Sequence, residues 1–336
     1  MLALGIGGEI EKEEVYAVDF SLTLLLAAFA GGLFGAAIGG LPAFVFTGFA
    51  VLIGVAAAAA GSDFDFIGLM AFGPVFGPHI SFAGGAAAAA FAARRGDLEN
   101  GRDIAAPLAG VNDPITLLVG GLFGAGGYVV VSFLNWILTH GEPGMFYVTL
   151  TDTIALTVVI SAIVARLAFG RSGLFGTMDE DAQRRGRFVP GGGAVWVDYQ
   201  QGFLQATVIG LGAGLLSAWI VTAFNAANPD LIAAGAVLGF GISATSLILL
   251  QVGFSCPVTH HMTLPAAVAA VAVLSVFGGG PLAALIVGAI AGIAGALLGE
   301  FYSRLFLIHG DTHVDPPAAA IATMATIIVI LALLFA

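Results

Sequence analysis

The sequence predicts an all-α polytopic membrane protein. It has about ten transmembrane helices arranged as two inverted five-helix repeats, with a broken helix in each repeat. Three observations carry this reading. The 336 residues are 59% hydrophobic and only 9% charged, with a mean hydropathy of +1.03. No water-soluble domain buries that much apolar surface, so the surrounding medium is lipid. Short motifs recur in order: Val18-Asp19-Phe20 with Val197-Asp198-Tyr199, Pro78-His79-Ile80-Ser81 with His260-His261-Met262-Thr263, and Thr149-Leu150-Thr151-Asp152 with Thr312-His313-Val314-Asp315. Finally, a proline-containing interruption falls at the matching place in each half.

Residues 1–17 carry Glu9, Glu11, Glu13 and Glu14 and no basic n-region. This predicts an interfacial segment rather than a cleaved signal. The first repeat occupies 18–169, with apolar spans at 22–38, 41–60, 67–93, 115–138 and 146–169. The second occupies 197–336, with spans at 200–224, 231–254, 257–277, 281–307 and 316–336. Each approaches the roughly 20 residues a helix needs to cross the hydrocarbon. Asn112-Asp113-Pro114, Asn228-Pro229-Asp230 and Asp315-Pro316 place a capping side chain or proline at helix entrances. Gly120-x-x-x-Gly124 and its counterpart Gly288-x-x-x-Gly292 predict close helix packing in the fourth and ninth spans. Residues 170–196 form the only long polar connection and serve as a linker.

Five spans per half is an odd number, so the second half enters from the opposite face, as an inverted repeat requires. An outside N-terminus places nine of the ten Lys and Arg residues inside, which the positive-inside rule favours. Both termini are then expected outside a cell membrane. The net charge is −11 and the only lysine is Lys12. No basic patch suggests nucleic acid. Cys256 is the sole cysteine, so an intrachain disulfide is impossible.

The strongest local signal is Phe72-Gly73-Pro74-Val75-Phe76-Gly77-Pro78-His79. Two Gly-Pro pairs cannot continue a helix, and freed backbone groups in a bilayer need protein or a polar cavity. The second break is Phe254-Ser255-Cys256-Pro257-Val258-Thr259-His260-His261. Repeat interfaces with broken helices are where solute sites form in membrane carriers. The expected path therefore includes Phe76, Pro78, His79 and Ser81 from the first half. From the second it includes His260, His261 and Thr263. Asp152 and Asp315 are candidates too, either as carboxylates that take up a proton or cation or as N-caps. Cys256, His260, His261 and His79 have the chemistry of a zinc or copper ligand set, provided the backbone unwinds at the two adjacent histidines. Phe72, Phe76, Phe82 and Phe254 have the shape to line a slot for a flat solute. No serine-histidine-acid order, phosphate loop or CxxC pair is present, so neither an enzyme nor a cofactor is expected.

Ten spans in two inverted groups of five, with mid-half breaks, resemble the urea-transporter architecture. That resemblance covers the layout of the whole chain but not that family's motifs. It implies a trimer with a phenylalanine-lined slot, and it assigns no residue a role. One histidine per half is similar to the paired pore histidines of ammonium transporters. The acid-rich, lysine-poor chain looks like uncharacterised permease-like proteins of halophilic archaea. The leading expectation is a permease or channel for a small polar solute. The alternatives are a transition-metal or cation transporter using the His/Cys set, and a non-transporting scaffold or lipid- or pigment-binding protein.

Overall fold

The computed structural model describes residues 20–140 and 148–335. The predicted interfacial segment 1–17 lies outside them. The protein is all-α and polytopic. In the first half, α1 is Leu22–Ile38 and α2 is Gly40–Ala59. The broken third segment has a π turn at Ile67–Ala71 and another at Pro78–Phe82, which runs into α3, Ala83–Arg95. Then come α4, Pro114–Leu138, and α5, Thr153–Phe169. A short linker helix α6, Glu180–Arg185, precedes the second half. That half holds α7 (Phe203–Ala227), α8 (Ile232–Ser246), α9 (Ile248–Gln251), α10 (His260–Ser275), α11 (Pro281–Tyr302) and α12 (Pro316–Phe335). Among the described residues, six stretches are long and apolar enough to cross a membrane. The shorter apolar helices α1, α5 and α10, with the broken 67–95 segment, complete two groups of five.

The local chemistry explains the ends. Asp113, Asp152 and Asp315 each accept a backbone N–H from the first turn of α4, α5 and α12. Gly96 closes α3 with φ +86, in the left-handed region where a glycine is favoured. The predicted fifth span, 146–169, starts late. Residues 148–149 pair with 139–140 as a two-residue antiparallel ladder, and Asp152 then caps α5 from Thr153 onward.

The two halves pack alike. α1 lies on α4 as α7 lies on α11; α3 packs on α4 and α5 as α10 packs on α11 and α12. Glycines make the shared contacts. A Cβ on Gly124 would meet the Ala28 carbonyl at 2.5 Å and Gly32 Cα at 2.7 Å. One on Gly292 would meet the Gly210 carbonyl at 2.5 Å and Gly214 Cα at 2.7 Å. Without a hydrophobic drive between helices in lipid, such backbone approach is what holds them together. Across the halves α2 packs on α8 and α5 on α12. Both are pairings of a helix with its own counterpart, as a two-fold relation demands.

The inversion is visible in the loops. Leu41 N–H donates to the Ile104 carbonyl, Gly101 bridges Thr312, and Thr177 N–H donates to the His309 carbonyl. Thus the loop after the third segment of the first half, the linker, and the loop after the fourth helix of the second half share one face. Parallel repeats would place those two loops on opposite faces. Arg166 fastens this linker face. The residue is 1% exposed, and its guanidinium donates to the carbonyls of Leu174, Phe306 and Thr312 and to Thr312 Oγ1.

Candidate functional site

Both predicted breaks are present, and protein groups satisfy the backbone they free. In the first, the Phe76 carbonyl accepts Thr47 Oγ1 of α2 at 2.5 Å, and the Gly77 carbonyl accepts the amides of Ile80 and Ser81. In the second, Gln200 clasps Val258, accepting its N–H at 2.9 Å and donating to its carbonyl at 3.1 Å. Tyr199 donates its hydroxyl to the Cys256 carbonyl at 2.6 Å. Burial, followed by the nearby Cys256 and Asp198, raises the Tyr199 hydroxyl above its ordinary range, so it stays a donor. Both downstream segments begin level with the middle of a neighbouring helix. The His79 carbonyl lies against Gly127 of α4, and the His261 carbonyl against Gly295 of α11. The alignment of His79 with His261 therefore holds in three dimensions.

A cavity of about 1000 Å³ lies between the halves. Its wall runs from Arg102, Asp103 and Tyr199 at the linker face to Ala233, Ser275 and Leu333 at the other. One side of α12 and one side of α10 line it along most of their lengths, whereas the corresponding α3 contributes only Phe82 just before its first residue. The cavity is thus built mainly against the second half.

Of the expected path residues, Pro78, His260, Asp152 and Asp315 line the cavity, and Phe76, His79, Ser81, His261 and Thr263 do not. Pro78 and His260, at corresponding positions, line the cavity; His79 and His261 do not. Helical neighbours point about 100° apart, so only one of two adjacent residues faces a given surface. His260 sits with its ring centroid 4.7 Å from Phe44 and 5.9 Å from Phe240. His261 turns instead toward Gly299 and lies 5.7 Å from Trp196, and neither ring nitrogen has a hydrogen-bond partner among the described residues. His79 is packed beside Gly77. Ser81 bonds back to the Gly77 carbonyl, and Thr263 shares hydroxyl contacts with Ser243. Phe76 stacks on Phe46 at 5.4 Å, away from the cavity.

Asp152 and Asp315 both cap their helices and both line the cavity. Sequence reasoning missed His313, whose Nε2 lies 3.1 Å from Asp315 Oδ1 and whose ring lies 5.8 Å from Phe82. The signal was available, since His313 stands where the first half has Leu150. Together His260, His313 and Asp315 form a polar group on the cavity wall at the start of α10 and α12. Cys256 donates to the Ser246 carbonyl. Among the described residues, no three His, Cys, Asp or Glu side chains converge as a metal site, so the proposed His79, Cys256, His260 and His261 set is not brought together.

One family model matches the chain twice, over residues 14–184 and again over 178–335. The chain belongs to the family of unknown function DUF7973. The two DUF7973 matches divide the chain at the linker, where the packing also divides it. No curated protein and no solved structure matches it.

Proposed function

We propose that this DUF7973 protein is a membrane permease whose solute binds in the inter-repeat cavity, beside His260, His313 and Asp315. The observation that carries the reading is the position of this polar group. It sits where broken and mid-membrane-starting helices meet, on the wall of a cavity of about 1000 Å³ between inverted halves. Ionisable residues at such depth are costly to bury and mark solute or ion paths. A mostly apolar pocket with a few convergent polar groups is the usual form of a small-molecule site. The arginine distribution supports a cytoplasmic linker face in the cell membrane. A homo-oligomer, as in the urea-transporter layout, belongs to the same proposal.

The test is solute flux in proteoliposomes, read as osmotic swelling with urea, ammonium salts and small amines or amides. Flux above that of protein-free vesicles is expected. Leu264→Trp, which places an indole in the cavity, should abolish it while leaving the unfolding midpoint near that of the unaltered chain. Absence of flux for every solute removes the permease reading.

A further inference from the structure

The cavity has a charge and a wall chemistry that the permease reading does not use. Its lining carries four aspartates, Asp103, Asp152, Asp198 and Asp315, against one arginine, Arg102, with the histidines His260 and His313 between them. Asp152 and Asp315 stand at the starts of α5 and α12, while Asp103 and Asp198 stand at the linker-face end. Arg102 is turned to the backbone, with Nη1 reaching the Ile308 carbonyl at 3.4 Å. Such an excess of one sign in a low-dielectric cleft concentrates counter-ions of the other.

The wall beside His260 and His313 is aromatic. Phe44 meets Phe82 and Phe240 at ring-centroid distances of 5.8 and 5.7 Å, and Phe72 meets Phe240 at 5.6 Å. All four rings line the cavity. Their faces attract a cation and repel an anion, and they offer nothing to hydrate a small inorganic ion. A divalent metal is further disfavoured because no three ligating side chains converge among the described residues. An independent feature points to a polar ligand. His260 is 6% exposed and lines the cavity, and its buried Nδ1 has no partner among the described residues. Turned about its Cβ–Cγ bond and neutral, with the proton on its other nitrogen, this imidazole presents an acceptor to an N–H on the ligand.

We infer that the cavity binds a monovalent organic cation, an ammonium group carried on an apolar body. The ammonium lies between Asp315 and His260, and the body lies along the apolar face of α12. This assignment rests on the permease reading for its location but not for its test. Purified protein in detergent is titrated with three probes of one shape: phenethylammonium, 2-phenylethanol and 3-phenylpropionate. Binding is followed by Trp196 fluorescence, since Trp196 lines the cavity, with Trp196→Phe as the signal control and calorimetry as a second readout.

Phenethylammonium should bind at least tenfold more tightly than the alcohol, and the carboxylate should not bind. Asp315→Asn should weaken phenethylammonium about tenfold, and His260→Phe by a few-fold, without changing affinity for the alcohol. Because Asp315 also caps α12, Asp152→Asn serves as the second variant and should weaken the cation in the same direction. Equal binding of all three probes, or tighter binding of the anion, overturns the assignment. So does unchanged cation affinity in both aspartate variants. If the cation binds but no solute crosses a vesicle, the ligand class stands and the permease reading falls. If neutral solutes cross and the cation does not bind, the reverse holds.

Discussion

Exchanging Gly292 for alanine tests the repeat packing quantitatively. The added Cβ would sit 2.5 Å from the Gly210 carbonyl and 2.7 Å from Gly214 Cα. A carbon–oxygen contact settles at about 3.3 Å or more, so α7 and α11 must part by roughly 0.8 Å. Both opposing atoms belong to backbone and cannot rotate away. Overpacking of this kind costs about 1–3 kcal/mol, and the separation loosens every other contact along the seam. Gly212 is on α7 too, yet a Cβ there meets nothing within 4 Å. Gly212→Ala should therefore gain about 0.5–1 kcal/mol from helix propensity alone. In the first half the counterpart of Gly292 is Gly124, which meets the Ala28 carbonyl and Gly32 Cα at the same distances, and Gly126 on the same helix α4 is open. Unfolding in mixed detergent with increasing dodecyl sulfate, followed by tryptophan fluorescence, measures all four. The expected order places Gly124→Ala and Gly292→Ala together below the unaltered chain, and Gly126→Ala and Gly212→Ala at or above it. If Gly292→Ala and Gly212→Ala behave alike, or if the two halves give opposite signs, the common packing scheme is wrong.

Two further perturbations probe the linker face. Arg166→Met leaves the carbonyls of Leu174, Phe306 and Thr312 without their donor, and should cost about 3 kcal/mol in the same unfolding assay; a loss below 0.5 kcal/mol would remove Arg166 from its fastening role. Asp311 is subject to burial, which pushes its carboxyl up, but the Ser172 hydroxyl, the Arg171 amide and the charge of Arg166 together hold it below the ordinary value of 3.8. A depressed carboxyl contributes stability above its unfolded pKa and loses it as pH falls through the folded one. The stability gap between the unaltered chain and Asp311→Asn should be full at neutral pH and close only below pH 3.8; a gap that closes on raising the pH would contradict this.

Much of the architecture was legible because it depends on local chemistry. Gly-Pro pairs cannot sit inside a helix, Asp-Pro starts one, and a glycine repeated at the same spacing in both halves marks one seam. The inversion followed from counting spans and arginines, and the shared linker face bears it out. The site was less legible. Which of His260 and His261 faces the cavity depends on the phase at which α10 restarts after an irregular stretch. That phase is set by Gln200, Tyr199 and Ser243, which are remote in sequence from the break or bond to it through backbone groups. The same dependence hid Phe44 and Phe240, whose importance comes from α2 meeting α8 at the centre. The late start of α5 escaped notice because residues 146–152 are apolar enough to continue a span, and only the Asp152 cap marks the true beginning.

The most direct test of a solute-accessible cavity between the repeats uses the single native cysteine. In a Cys256→Ser background, Ala318→Cys places a thiol on the cavity wall beside Asp315, while Ala320→Cys places one two residues along the same helix, off that wall. Reaction with the cationic reagent methanethiosulfonate ethylammonium in native membranes should be fast at position 318, slow at 320, and suppressed at 318 by phenethylammonium. Equal, slow labelling at both positions would contradict the account.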